Sequence, residues 1–351
     1  MAGRGQAHLR TDIDPLLAVR DLVVSFPARS GRRFDAVSSV SFDVARGETL
    51  GVVGESGSGK SSTARAVLQL PPPTSGSVRF EGAELGGLRG EALRRIRPRL
   101  QPIAQDPRSA LNPRRTVREL VGDGLDIWDR RQGRDERVDA ALEAVGFDPA
   151  AIAARRPAQL SGGQCQRVCI ARALTLEPAL LLCDEPVSSL DVSAQAQVLN
   201  LLRDARARYG LTMVFISHDL TVVRVVADRV LVMYRGKVCE VADTDRIYDT
   251  PAHPYTALLL ASRPEAGAGA GRALAPAGRQ ALDADADAAP AGSAPAGSAV
   301  TGGCGFRARC ARASARCASE EPEIRSAGPG QWVACHHPLG SSSGSAAAGR
   351  P

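Results

Sequence analysis

The stretch Gly54-Glu55-Ser56-Gly57-Ser58-Gly59-Lys60-Ser61 decides the fold. It fits G-x-x-x-x-G-K-[ST] at every fixed position, with the apolar run ETLGVVG (48–54) before it and the helix-favouring STARAVLQL (62–70) after it. Strand, glycine loop and helix in that order form a phosphate cradle. Glycines let successive backbone N–H groups curl round phosphate oxygens, and the helix N-terminus adds a positive dipole. Lys60 is placed to reach the β- and γ-phosphates, and Ser61, followed by Ser62, offers a hydroxyl to Mg²⁺. The lysine is informative because only Lys60 and Lys237 among the 44 basic residues are lysines. The loop alone specifies a nucleoside triphosphate and leaves GTPase, kinase and ATPase open.

Two further stretches narrow the choice. ALLLCDEP (179–186) reads as a buried strand ending in Asp184 and Glu185. The first acid suits Mg²⁺, and the second can orient or deprotonate an attacking water. Upstream, Leu160-Ser161-Gly162-Gly163-Gln164 opens a helical stretch, whose hydroxyl and exposed amides suit an anion.

This order of motifs resembles the ATP-binding cassette (ABC) ATPases, with LSGGQ as their signature. The resemblance implies further roles. Gln105 in IAQDP matches the Q-loop glutamine that touches Mg²⁺ or the lytic water, Asp191 in SSLD the D-loop, and His218 in VFISHDL the switch histidine. An aromatic stacking on adenine is expected upstream of the loop, at Phe26 in preference to Phe34. QDPRSALNPRRTV (105–117), SLDVSAQAQVLNLL (189–202) and TPAHPYTALLLAS (250–262) resemble the oligopeptide and dipeptide importer ATPases, a group that includes nickel importers. Cys165 stands where that family usually has Arg, and Ala104 precedes the Q-loop glutamine where an aromatic is common. Cys165 and Cys169, four apart on one helix face, read as buried small side chains in preference to a redox pair.

Length and composition fit this reading. With 351 residues, 44% apolar and 4% aromatic, the chain suits one large α/β domain with a poorly packing appendage. No stretch has the roughly 20 apolar residues of a membrane span, and the N-terminus has no apolar signal core. A net charge of +6 without a basic run gives little support to nucleic-acid binding.

The expected organisation is an ABC ATPase domain over 15–262, a RecA-like core with an antiparallel β subdomain and a helical subdomain near 88–170. A disordered Ala/Gly/Pro linker over 263–302, a Cys-rich segment over 303–338 and a disordered tail over 339–351 follow. Cys304, Cys310, Cys317 and Cys335 lack tight C-x₂₋₄-C hooks. Their GCGFRARC…RC…ACHH pattern resembles the importer subfamily's cysteine set, implying a [4Fe–4S] cluster first, zinc second and free thiols third.

The resemblance implies a peripheral protein at the cytoplasmic face of the membrane. Its partners would be two membrane permeases, a second ABC ATPase subunit, identical or not, and an extracytoplasmic solute-binding protein. It would bind ATP and Mg²⁺ and power uptake of oligopeptides or dipeptides. Nickel or another solute, or a non-transport role, is the alternative.

Overall fold

The computed structural model of the protein describes residues 5–27, 33–262 and 302–340; the expected linker, apart from residue 302, and the tail beyond residue 340 lie outside them. β1 (Leu17–Pro27) and β2 (Arg33–Val44) pair antiparallel. Beyond β3 (Thr49–Val53) and α1 (Lys60–Val67), β4 (Ser75–Phe80) and β5 (Ala83–Glu84) complete a four-stranded sheet ordered β2-β1-β4-β5. Residues on β1 alternate, with Leu17, Val19, Leu22 and Val24 buried, as a sheet covered on one face requires.

The main sheet is built on β3, β6 (Leu100–Ile103), β7 (Leu180–Asp184), β8 (Thr212–Ser217) and β9 (Arg229–Tyr234). These run parallel in the order β9-β3-β8-β7-β6. Their near-continuous apolar runs follow from burial on both faces. Leu180 and Leu182 join one core with β1, β2 and α1, while Leu181 and Cys183 join the other, under the helices. β3, β8 and β7 are neighbours in matched register, Val53 opposite Ser217 and Asp184 opposite Ile216, so their C-terminal ends finish at one level. In a parallel sheet that edge is where ligands bind.

Between β5 and β7 the helices are α2 (Gly90–Ile96), α3 (Val117–Ile127), α4 (Arg134–Ala144), α5 (Pro149–Ile152) and α6 (Gly162–Leu174). β6 lies inside the stretch expected to be helical and forms an edge of the main sheet. Side chains fix several helix starts. Thr116 and Glu119 form a capping box, Asp148 accepts from the Ala150 N–H, and Ser161 and Gln164 form a second box. α7 (Val192–Tyr209), α8 (Leu220–Val226), α9 (Thr244–Asp249) and α10 (Pro254–Ala261) follow in the C-terminal half.

The Cys-rich segment is not an appendage to this fold, which corrects the expectation. After the short helix α11 (Ala315–Ser319), β11 (Arg325–Gly328) and β12 (Gln331–Val333) add to the main sheet. β12 pairs antiparallel with β10 (Lys237–Asp243), and the whole sheet has eight strands, ending β9-β10-β12-β11. Phe306 is 2% exposed and packs edge-on against Tyr234, with ring centroids 5.4 Å apart. Lys237 pairs with Glu321 across the same join. Cysteine, read as a metal ligand, here also serves as a small buried side chain.

Candidate nucleotide site

The phosphate loop leaves β3 at Gly54 and enters α1 at Lys60. Its glycines are required by both space and dihedral angle. Gly54 has φ 153°, and a Cβ there would lie 2.2 Å from the Met233 carbonyl oxygen. Gly59 has φ 100°, with the Ala36 carbonyl oxygen 2.5 Å from its Cβ position. The Lys60 ammonium crosses the loop and donates to the carbonyls of Gly54 (2.7 Å) and Glu55 (2.9 Å). Burial lowers its pKa, and the carboxylates of Glu185, Asp184 and Glu55 oppose that shift.

The ends of β7 and β8 bring the acids and the histidine to this loop. Ser61 Oγ donates to Asp184 Oδ1 at 2.9 Å, joining the start of α1 to the end of β7 across 123 residues of sequence. Asp184 is raised, chiefly by burial; the Ser61 hydrogen bond opposes the shift and the Glu185 charge adds to it. The next residue, Glu185, has a left-handed backbone at φ 49°, and its N–H bonds to the Ile216 carbonyl at 3.0 Å. That turn aims its carboxylate at Gln105 and His218. Gln105 Nε2 donates to Oε2 at 3.0 Å, and His218 Nδ1 lies 3.2 Å from Oε1. Gln105, Glu185 and His218, from three separate segments, thus meet as one group. Glu185 is 16% exposed at its side chain and His218 56%.

Ser188 Oγ donates to the Glu185 carbonyl at 3.1 Å, and the Asp191 carboxylate caps α7 through the Ala194 N–H at 2.9 Å. The LSGGQ stretch lies against this D-loop side. A Cβ on Gly163 would be 3.0 Å from Ala194 Cβ, and one on Gly162 would be 3.4 Å from Leu190 Cδ2. Among the described residues no hydrogen bond or ion pair joins Ser161–Gln164 to the chain's own phosphate loop. Phe26 and Phe34 pair across β1 and β2 with centroids 5.8 Å apart, so the aromatic candidates form one patch. β2 reaches the loop through Ala36. Cys165 and Cys169 are buried and free, their thiols directed at the carbonyls of Pro157 and Pro107. Burial pushes Cys169 up to about 11.

The Mg²⁺ expected here fits the residues present, because Ser61 and Asp184 converge as hard oxygen donors with Gln105 at the same edge. The expected metal set at the C-terminal cysteines does not fit in the same way. Burial, and after it the charge of neighbouring thiols, raises Cys304, Cys310 and Cys335, the last to about 11. Among the described residues no group of three or more His, Cys, Asp or Glu is arranged to hold a metal ion. His336 bonds to the Glu320 carbonyl and His337 to Ser314.

Residues 37–188 match the family model described as ABC transporter, and residues 239–317 the one described as oligopeptide/dipeptide transporter, C-terminal region. A peptide import ATP-binding protein of Brucella ovis is 46% identical over 323 residues, covering 92% of this chain and 97% of the relative. The chain is an ABC transporter ATPase. This ATPase is also 42% identical to the oligopeptide transport ATP-binding protein AppF of Bacillus subtilis, over 92% of its own length and 97% of AppF. Its fold matches a dimeric post-hydrolysis ATP-binding cassette bound to ADP and phosphate, with TM-score 0.59 and 28% identity over 65% of this chain and 98% of that one. It matches CbiO1 of Clostridium perfringens with TM-score 0.60 and 26% identity, over 68% of this chain and 92% of that one. Among the described residues of the ATPase no helix is long and apolar enough to cross a membrane.

Two residues at the loop have no role at the nucleotide site in the sequence reading, though each lies in a stretch that carries the importer resemblance. Arg309 donates two hydrogen bonds to the Glu55 carboxylate, each 2.9 Å, and the Tyr255 hydroxyl accepts from the Glu55 N–H at 2.9 Å. The stretch TPAHPYTALLLAS contains Tyr255, and the Cys-rich segment contains Arg309, but nothing local in either marks a contact with Glu55, 200 and 254 residues away respectively.

Proposed function

We propose that this ATPase hydrolyses ATP at the Lys60, Asp184, Glu185 and His218 site to drive uptake of oligopeptides or dipeptides through partner permeases. The meeting of Gln105, Glu185 and His218 beside the phosphate loop carries the chemical part. Lys60 exchanges its loop carbonyls for β- and γ-phosphate oxygens, and amides of the loop through Ser62 cradle the rest of the chain. Glu185 accepts a proton from the attacking water as the new O–P bond forms. The bond from the γ-phosphorus to the bridging oxygen breaks, and its electron pair leaves with ADP. His218 and Gln105 orient the Glu185 carboxylate and the γ-phosphate. Ser61, Asp184 and Gln105 hold the Mg²⁺, which when bound offsets phosphate charge.

Placement of Ser161, Gly162 and Gly163 away from their own loop supports a second ATPase subunit, identical or not, that supplies them to this ATP across a dimer. The cassette bound to ADP and phosphate is itself dimeric. The peptide cargo, the two permeases, the solute-binding protein and a position at the cytoplasmic membrane face rest on the oligopeptide/dipeptide transporter match and on relatives described as peptide import and oligopeptide transport proteins. Support for an iron–sulfur cluster, with zinc second, at Cys304, Cys310, Cys317 and Cys335 is confined to the cysteine pattern and the closeness of the thiols. Iron, sulfide and zinc assays on anaerobically purified protein decide it, and no step above depends on it.

Uptake of a labelled short peptide, and separately of nickel, in cells carrying the intact chain or its Glu185→Gln form tests the cargo. Peptide uptake lost in the variant with nickel uptake unchanged is expected. Nickel uptake alone lost moves the cargo to the metal, and both unchanged reopens a non-transport role.

A further inference from the structure

We propose that Arg309 is a positioning residue for ATP: it neutralises Glu55 and, with Tyr255, clamps the first turn of the phosphate loop. The inference rests on the loop being the ATP site. Glu55 is the first variable position of the loop, and each of its polar groups is engaged. Its N–H donates to Tyr255 Oη, its carbonyl accepts from Lys60 Nζ, and its carboxylate accepts both donors of the Arg309 fork. Tyr255 and Arg309 both come from the C-terminal part of the chain.

The clamp is built to stay in place. Tyr255 is fully buried, and Phe306 packs against its ring and that of Tyr234, with centroids 5.4 Å apart in each case. The Arg309 guanidinium lies 5.9 Å from the Tyr234 ring centre and 5.8 Å from that of Phe306, with 15% of its side chain exposed. Glu55 holds the already high Arg309 pKa higher still, so the fork is a cation at every working pH. Two parallel N–H···O bonds fix direction as well as charge.

The chemistry that follows is electrostatic. Without Arg309 the loop would present a free carboxylate to a polyphosphate at short range, where like charges oppose binding. Its backbone amides would also lose one of the two anchors that fix where they point. Arg309 lies on the turn between Cys304 and Cys310, so the Cys-rich segment serves nucleotide binding directly.

Arg309→Ala and Arg309→Lys, each alone and combined with Glu55→Gln, test this in the full-length chain with a fluorescent ATP analogue and Mg²⁺. Loss of one charge-assisted pair predicts about tenfold weaker binding for Arg309→Ala, with KM raised and kcat nearly kept. Arg309→Lys should fall between, because an ammonium cannot fork. In the Glu55→Gln background, replacing Arg309 should add little, since the charge it neutralises is gone. Equal losses in both backgrounds would overturn the idea and leave Arg309 as a support of the C-terminal turn, and unchanged binding would overturn it outright. If Arg309→Ala fails to fold, Arg309→Lys with and without Glu55→Gln makes the same comparison. No analogue binding by the unaltered chain would overturn the nucleotide-site reading, and this inference with it.

Discussion

Replacing Glu185 by Gln removes a proton acceptor while leaving the shape of the site. The carboxylate accepts from Gln105 at 3.0 Å on one oxygen and faces His218 Nδ1 at 3.2 Å with the other. A glutamine amide keeps both contacts, its carbonyl taking the Gln105 donor and its NH₂ turning to Nδ1 of a neutral imidazole. The backbone bond from the residue 185 N–H to Ile216 is untouched. Fold stability should therefore change by less than about 1 kcal/mol. Loss of general-base assistance is worth roughly 10²- to 10⁴-fold in rate, or about 3–5 kcal/mol of barrier. ATP binding should hold or tighten, because a negative charge beside the polyphosphate is removed. Phosphate release at saturating ATP, paired with titration of a fluorescent ATP analogue, separates the two effects. A rate within about fivefold of the unaltered chain, with binding intact, would refute Glu185 as the base. Parallel loss of binding would show that the change had disturbed the loop instead.

Other predictions concern the frame. Gly51, in the middle of β3, leaves room for nothing larger: a Cβ there would be 2.4 Å from Val223 Cγ1 and 3.0 Å from Ala227 Cβ. Gly51→Ala should cost about 1–3 kcal/mol by overpacking, read in denaturant melts, and should slow hydrolysis because α8, which follows the His218 loop, has to shift. His253 is fully buried, with Nδ1 accepting the Tyr255 N–H at 3.0 Å, and burial pushes it down to about 4. A depressed histidine pKa means that the unfolded chain binds the extra proton first, so its stability contribution is present above the ordinary value near 6.5 and lost as pH falls toward 4. Between pH 7 and 5 that loss is about 2 kcal/mol, with buried His8 adding in the same sense and raised Glu240 in the opposite one. His253→Asn keeps a capping side chain without the titration and should flatten the profile; an unchanged slope would place its source elsewhere.

Much of the nucleotide site was legible because its residues are dictated by the backbone beside them. Gly54 and Gly59 must be glycine where the loop turns against Met233 and Ala36, and Asp184 and Glu185 end a strand whose apolar run is plain. The relative order of the motifs carries the family, and adjacent C-terminal ends of β3, β8 and β7 turn that order into a site. Sheet order and the place of β6 were not legible, since pairing between strands far apart leaves no local pattern. The Cys-rich segment was misplaced as an appendage for a related reason: a buried small thiol and a ligating thiol look the same in a sequence, and only packing shows β11 and β12 completing the sheet beside them. Arg309 lies in the GCGFRARC pattern, but its role at the phosphate loop could not be found there. The chain is rich in Arg, and only the fold shows that this one reaches Glu55, 254 residues away in sequence.

The most direct test of a peptide-importing ATPase is ATP hydrolysis and labelled-peptide accumulation measured together in vesicles holding the complete importer, with intact or Lys60→Ala chain. The account predicts that peptide-loaded binding protein stimulates hydrolysis and uptake in the first and neither in the second. Peptide accumulation that persists with Lys60→Ala, or hydrolysis indifferent to peptide in the intact assembly, would contradict it.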